Sequence, residues 1–202
     1  MLIGVDFDNT LVCYDELFYR AAVERRLIPP ELSPRKELIR DFFRRSGRED
    51  DWTMLQGHVY GKAIAEAPPF PGAIEFFAAC RSAGAEIRIV SHRTRYPVLG
   101  PRHDLHSAAV EWLRANGFFD EERTGLTPAR THFEETRRGK LDRISALGCA
   151  WFIDDLPELL SDPEFPGSVR RVLFDPHGTG PAEARFEKIG GWPEAISLLR
   201  AG

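Results

Sequence analysis

The sequence is poor in several features that would redirect its reading. Three of its 202 residues are cysteine, Cys13, Cys80 and Cys149, spread far apart with no CxxC pair. That spacing argues against a metal cluster or a disulfide framework and fits reduced thiols in a cytoplasm. No apolar run is long enough to span a bilayer, and no basic stretch precedes an apolar one at the start of the chain. A cytoplasmic location and no membrane partner are therefore expected. An excess of one charge is also missing: 27 Lys and Arg face 31 Asp and Glu, for a formal net charge of -4. Such a balance provides no global field for nucleic acid or an anionic membrane, although local basic patches remain open. There are no internal repeats and no low-complexity tract. What is present is 43% apolar and 29% charged residues, the make-up of a folded domain with one sizeable core and a modest insertion.

Short apolar runs alternate with helical patterns. Met1 to Phe7, Glu86 to Val90, Ala150 to Ile153 and Val169 to Phe174 read as strands, with a weaker one near Ala129 to Phe133. Between them, Gly72 to Ser82, His103 to Ala115 and Thr136 to Leu147 carry apolar residues at helical spacing. Gly84, Asn116-Gly117 and Gly148 fall where helices end, and Thr136 suits an N-cap. Strand and helix in alternation predict an α/β protein, a parallel sheet covered on both faces. Pro176 to Pro181 reads as a loop.

One stretch breaks the alternation. Between the first strand and Pro68-Pro69-Phe70-Pro71 lie three helical patterns, Tyr14 to Arg26, Pro34 to Arg45 and Asp51 to Ala65. Pro29-Pro30 and Ser46-Gly47 separate them. Residues 13–67 are therefore expected to form a small helical insertion, and 1–12 with 68–202 the sheet-bearing core.

Acidic and basic groups gather at the strand ends. The first strand runs into Asp6-Phe7-Asp8-Asn9-Thr10. Carboxylates two apart at a strand end point the same way, beyond the carboxyl edge of a parallel sheet, where such folds bind ligands. A pair there can bind a divalent cation through oxygen, or divide nucleophilic and proton-transfer duties. A capped, solvated turn would also account for Asp-x-Asp alone. The second strand ends in Ser91-His92-Arg93-Thr94, a hydroxyl and a guanidinium suited to phosphate oxygens. The third ends in Asp154-Asp155, and Lys140 lies early in the helix that leads to it.

In this order, DFDNT, VSHRT, Lys140 and FIDDLPE resemble the four motifs of the haloacid dehalogenase superfamily. PPFPGAIEFFAACRSAG, ahead of the second strand, is similar to the family's approach to its second motif. The resemblance implies a Rossmann-like sheet with the first strand central, and places the insertion where the family carries a helical cap. It implies that Asp6 is the nucleophile and forms an aspartyl-phosphate. Asp8 matches the general acid and base, its carbonyl on Mg2+, and Thr10 the residue that fixes the loop. Ser91 matches the phosphoryl-binding hydroxyl and Lys140 the neutralising cation. Asp155 aligns with the direct metal acid; Asp154 orients the site or binds through water. Asn9, Ser91, His92 and Arg93 are the substrate-binding candidates.

The family's dehalogenases lack an acid two residues after the nucleophile, since halide leaves without a proton. Asp8 thus favours phosphoryl chemistry, and the expected function is a magnesium-dependent phosphatase acting on a small phosphorylated metabolite. A polynucleotide 3'-end phosphatase stays open, because Ser-x-Arg also resembles end-healing phosphatases. So do a phosphotransferase or sugar-phosphate mutase and a silent phosphate-binding module. Tyr14, Phe18 and Arg20 are candidates to line the cap, or ordinary helix residues. Arg93, Arg95, Arg102 and His103 are candidates for a second phosphate, or a solvated basic loop. His103 and His106 have zinc spacing but no third ligand nearby. Cys13 is expected to be a buried small hydrophobe. The oligomeric state is open.

Overall fold

The computed structural model describes residues 1–181 and 186–201. In chain order its elements are β1 (Leu2–Val5), α1 (Asp15–Glu24), α2 (Lys36–Arg45), α3 (Glu49–Tyr60), α4 (Ala73–Ser82), β2 (Glu86–His92), α5 (Leu105–Ala115), α6 (Glu121–Thr124), β3 (Thr131–Glu134), α7 (Arg137–Leu147), β4 (Trp151–Asp154), α8 (Pro157–Leu160), β5 (Arg170–Phe174), β6 (Glu187–Ile189) and α9 (Trp192–Ala201). They fall into two compact units. One comprises Met1–Val12, Pro69–Arg93 and Leu113–Gly202; the other comprises Cys13–Pro68 and Thr94–Trp112.

The first unit is built on a six-stranded parallel sheet in the order β3-β2-β1-β4-β5-β6. β1 lies between β2 and β4, with Val5 level with both Ile89 and Ile153. Alternation along the strands sends side chains to two faces, and both are covered. On one face Val90, Phe152 and Leu173 meet Leu141 and Ile144 of α7 and Leu159 and Leu160 of α8. On the other, Phe174 packs on Trp192 of α9 with ring centres 5.3 Å apart, and Trp192 lies 5.0 Å from Phe76 of α4. A strand buried on both sides must be apolar throughout, which is why AWFI and LIGV read as runs and not as alternations.

Helix ends follow the local chemistry. The Thr136 hydroxyl accepts the Gly139 amide at 2.9 Å, and Gly148 ends α7 in the left-handed region at φ +64°. The expected strand at 129–133 is β3, Thr131–Glu134. The 176–181 loop contains no regular element, and two elements not expected from the sequence, β6 and α9, follow it. β6 is only Glu-Lys-Ile with one buried residue, too short for a periodic signal. The pattern in α9 was legible: Trp192 and Ala195 are its buried positions.

The second unit is helical. α1, α2 and α3 enclose an aromatic cluster in which Phe18 stacks on Trp52 at 4.9 Å and Tyr14 meets Tyr60 at 5.0 Å. The Lys36 ammonium caps it, 5.6 Å from the Tyr60 ring centre and 5.7 Å from that of Phe18. The 51–65 helical pattern divides: α3 ends at Tyr60, and Ile64–Glu66 forms a separate 3-10 turn. This unit holds residues 13–67 and also 94–112, which the sequence reading grouped with the sheet. The added stretch packs closely on α3 through two glycines. A Cβ at Gly57 would stand 2.8 Å from Pro97 Cβ, and one at Gly61 would stand 2.8 Å from His103 Cβ. Trp112 Nε1 donates to the Ala67 carbonyl at 2.7 Å. Tyr14, the N-cap of α1, and Phe18 are fully buried here, and Arg20 pairs with Glu66 at 2.6 Å. Cys13, expected to be buried, is half-buried.

Candidate active site

The first unit gathers polar residues at the carboxyl ends of β1, β2 and β4, with Lys140 reaching them from α7. β1 stops at Val5, and the chain then turns: the amides of Leu11 and Val12 both donate to the Phe7 carbonyl. Asn9 occupies the corner at φ +58°, a conformation that Asn tolerates better than most residues. The two carboxylates take different partners, and the charge of Asp8 still bears on Asp6.

Asp6 faces Lys140. From the first turn of α7 the Lys140 ammonium reaches Asp6 Oδ1 and Asp154 Oδ2, each at 2.6 Å, with the lysine 2% exposed and Asp154 fully buried. Burial pushes the ammonium towards neutrality, but the charges of Asp154 and Asp6 and their hydrogen bonds outweigh it and raise its pKa above the usual lysine range. Burial dominates at Asp6 and lifts its pKa to about 6; Lys140 opposes the rise, while the charges of Asp154 and Asp8 add to it.

Asp8 faces Arg93. The Arg93 Nη1 lies 2.6 Å from Asp8 Oδ1 and 2.9 Å from Oδ2, and its guanidinium sits 5.5 Å from the Phe7 ring centre. The Arg93 amide donates to the Glu134 carbonyl at the end of β3, at 2.8 Å. The whole residue is 3% exposed.

A third group surrounds Asp155, which is half-buried. The Asn9 amide and the Thr10 hydroxyl approach its two oxygens at 3.4 Å each, and Thr10 also stands 3.5 Å from Asp6 Oδ2. Asp154 has both oxygens engaged, Oδ2 with Lys140 and Oδ1 with the Leu156 amide at 2.9 Å. Carboxylate oxygens of Asp6, Asp154 and Asp155 lie within 4.8 Å of one another, an all-oxygen set able to hold a hard divalent cation. Across the site the four acids Asp6, Asp8, Asp154 and Asp155 face two buried cations, Lys140 and Arg93.

The structure thus brings Asp6, Asp8, Thr10, Lys140, Asp154 and Asp155 together, with Ser91 buried at the same end of β2. The remaining expected substrate-binding residues are placed as follows. Asn9 holds the loop corner against Asp155, and Arg93 is turned onto Asp8. His92 is exposed. Arg95 and Arg102 belong to the second unit: Arg95 pairs with Asp104 at 3.0 Å and Arg102 lies over the Tyr96 ring at 3.9 Å. The Arg93–Asp8 pairing spans 85 residues of sequence, and the Glu134 carbonyl and Leu156 amide are main-chain groups; neither leaves a local signal.

No family model matches the chain, and no curated protein does. Solved structures do. A haloacid dehalogenase-like hydrolase from Burkholderia xenovorans is 14% identical with a TM-score of 0.56, over 98% of this chain and 95% of that one. A dehalogenase matches with 14% identity and a TM-score of 0.55, over 98% of this chain and 96% of that one. A HAD-hydrolase from Bacillus subtilis bound to magnesium matches with 13% identity and a TM-score of 0.54, over 98% and 97% of the two chains. At these identities the likeness is one of fold: the chain has the Rossmann-like α/β fold of the haloacid dehalogenase-like hydrolases.

Proposed function

We propose that this chain, with a haloacid dehalogenase-like fold, is a magnesium-dependent phosphatase that acts on a small phosphorylated metabolite through an aspartyl-phosphate on Asp6. The observation that carries the reading is the Lys140 ammonium shared between Asp6 and Asp154, buried at the sheet's carboxyl edge. A carboxylate that attacks a phosphate dianion meets like-charge repulsion, and a buried ammonium beside it offsets that repulsion where the surroundings screen least.

In this mechanism an Asp6 oxygen bonds to phosphorus as the ester P–O bond breaks, and the leaving oxygen takes a proton from Asp8. Water then attacks the same phosphorus and gives its proton to Asp8; the Asp6–P bond breaks and phosphate leaves. Splitting one hard displacement into two is the gain from the covalent step. Ser91, buried at the end of β2, is assigned the transferring oxygens.

Magnesium fits the donor set. We assign Asp6 and Asp155 as direct ligands, with the carbonyl of Asp8, because the two oxygens of Asp154 are held at 2.6 and 2.9 Å, whereas the contacts to Asp155 are longer, at 3.4 Å. The bound ion would supply Lewis-acid charge at the phosphate. Asp6, Asp154 and Asp155 stand against Lys140, an excess of carboxylate that a divalent ion would offset. The magnesium named in the Bacillus subtilis structure is in keeping with this choice. Asp8 argues against halide as the leaving group, which needs no proton. The 13–67 segment contains none of these groups, and we assign it selection among substrates.

The test is phosphate release from a panel of sugar, nucleotide and oligonucleotide 3'-phosphates, with magnesium and after chelation. The expected result is turnover of at least one ester that chelation abolishes and magnesium restores. Activity restored by zinc but not by magnesium would count against the ligand assignment. Release of halide from a 2-haloacid with no phosphate from any ester would overturn the reading.

A further inference from the structure

We infer that Arg93 is the positioning residue for Asp8, acting on the leaving-group proton and not on the substrate's phosphate. This rests on the phosphatase reading above. Asp8 lies past the end of β1, on a turn outside the sheet, where its main chain makes only an isolated bridge to Val12. Proton delivery needs that carboxyl aimed at the leaving oxygen within hydrogen-bond reach. Arg93 supplies the aim. Its Nη1 is shared by both Asp8 oxygens at 2.6 and 2.9 Å, which sets the plane of the carboxyl group.

Arg93 is itself held. Its amide is bonded to the Glu134 carbonyl of β3, its guanidinium rests over the Phe7 ring, and its side chain is 2% exposed. A guanidinium so enclosed is placed to fix a neighbour and poorly placed to meet an incoming ligand. As the ester P–O bond breaks, its electron pair stays on the leaving oxygen and the Asp8 proton moves to that oxygen. A misaimed Asp8 therefore costs most where the leaving oxygen is most basic. Alkyl phosphates depend on the proton; nitrophenyl phosphate, with a weakly basic leaving oxygen, depends on it little.

The experiment measures kcat and KM of the full chain with magnesium on a simple alkyl phosphate and on nitrophenyl phosphate. The variants are Arg93→Gln, Arg93→Lys, Asp8→Asn and the double Asp8→Asn/Arg93→Gln, each checked by thermal melting. Arg93→Gln should lower kcat on the alkyl ester by about 100-fold, the low end of what a positioned acid contributes, and by less than about tenfold on the nitrophenyl ester, with KM little changed. Arg93→Lys should recover part of the alkyl-ester kcat. In the Asp8→Asn background the Arg93 change should add less than about twofold, because residues that act through one another are not additive.

Equal losses on both esters with raised KM would make Arg93 a phosphate ligand and overturn the inference. So would full additivity with Asp8→Asn, or lower melting with the leaving-group dependence intact. If Arg93→Gln does not fold, the Lys variant and the double variant, which removes both buried charges, decide the same question. If the simple alkyl ester is not turned over, an ester of the panel that the wild type does cleave takes its place; no phosphate release by the wild type from any ester of the panel or from nitrophenyl phosphate overturns the parent reading, and this inference with it.

Discussion

The two units bury different things. Among the described residues, every buried polar or charged side chain lies in the first unit: Asp6, Thr10, Ser91, Arg93, Thr124, Lys140 and Asp154. The second unit fills its interior with Tyr14, Phe18, Ile39, Phe43, Trp52, Leu55 and Val59. Apolar burial stabilises wherever it occurs, at roughly 25 cal/mol per Å2. A buried charge must instead be matched by a partner and hydrogen bonds, and even then gives little net stability. Six of the seven buried polar groups stand at one end of three neighbouring strands, which places them at a site; the seventh, Thr124, is absorbed by the Phe118 and Asp120 carbonyls. Local composition alone would not separate the units; what each encloses does.

The largest expected effect tests the polar unit. Asp6→Asn preserves shape and removes the nucleophile, so turnover should fall by about a thousandfold or more while the melting temperature holds or rises. Phosphate release at the wild-type rate by the folded variant would sink the mechanism and leave the cluster as structure only.

Lys140→Met and Trp52→Ala set the units against each other. The first leaves Asp6 and Asp154 buried without their cation, and should cost about 3–5 kcal/mol of stability in chelated protein together with activity. Magnesium should return part of the stability and none of the lost ammonium's catalysis. Trp52→Ala opens the aromatic cluster and should cost a similar 3–5 kcal/mol or so. Its folded fraction should still cleave a small aryl phosphate. Denaturant titration with rate measurements on both variants checks the pair, and a loss of chemistry in Trp52→Ala equal to that in Lys140→Met would erase the contrast.

The pH dependence sharpens it further. Asp6 must be ionised to attack, and burial holds its pKa at about 6. At low magnesium the rate should rise as pH rises through about 6, and added magnesium should move that limb to lower pH. The stability sign is the reverse. The folded pKa of Asp6 exceeds the ordinary 3.8, so its stabilising contribution in chelated protein is complete below about pH 4 and is lost as pH rises through about 6. A limb unmoved by magnesium would separate Asp6 from the metal.

The smallest effect belongs to the surface. Thr136→Ala removes only the α7 cap and should cost about 1 kcal/mol, with Lys140 chemistry retained. A loss in melting as large as that of Lys140→Met would mean that the cap positions the lysine.

How much was legible beforehand depends on where each signal lies. The strands, the helix from 137 to 147 with its cap and its terminal glycine, and the three helices of 13–67 follow from local spacing. So does the presence of Asp6, Asp8 and Asp154-Asp155 at strand ends, because a parallel sheet puts every carboxyl end on one edge, and of Lys140 early in the helix that leads to β4. β6 was too short to register.

The sequence by itself therefore determined the alternating elements, the edge at which acids and cations collect, and the order in which the chain delivers them. Only the tertiary structure decided the pairing. Lys140 meets Asp6 across 134 residues and Arg93 meets Asp8 across 85. Gly57 and Gly61 draw residues 94–112 onto the helical unit by leaving room for Pro97 and His103. Such partners are chosen by packing and by the need to neutralise each buried charge, conditions that exist only once the sheet has brought distant segments together.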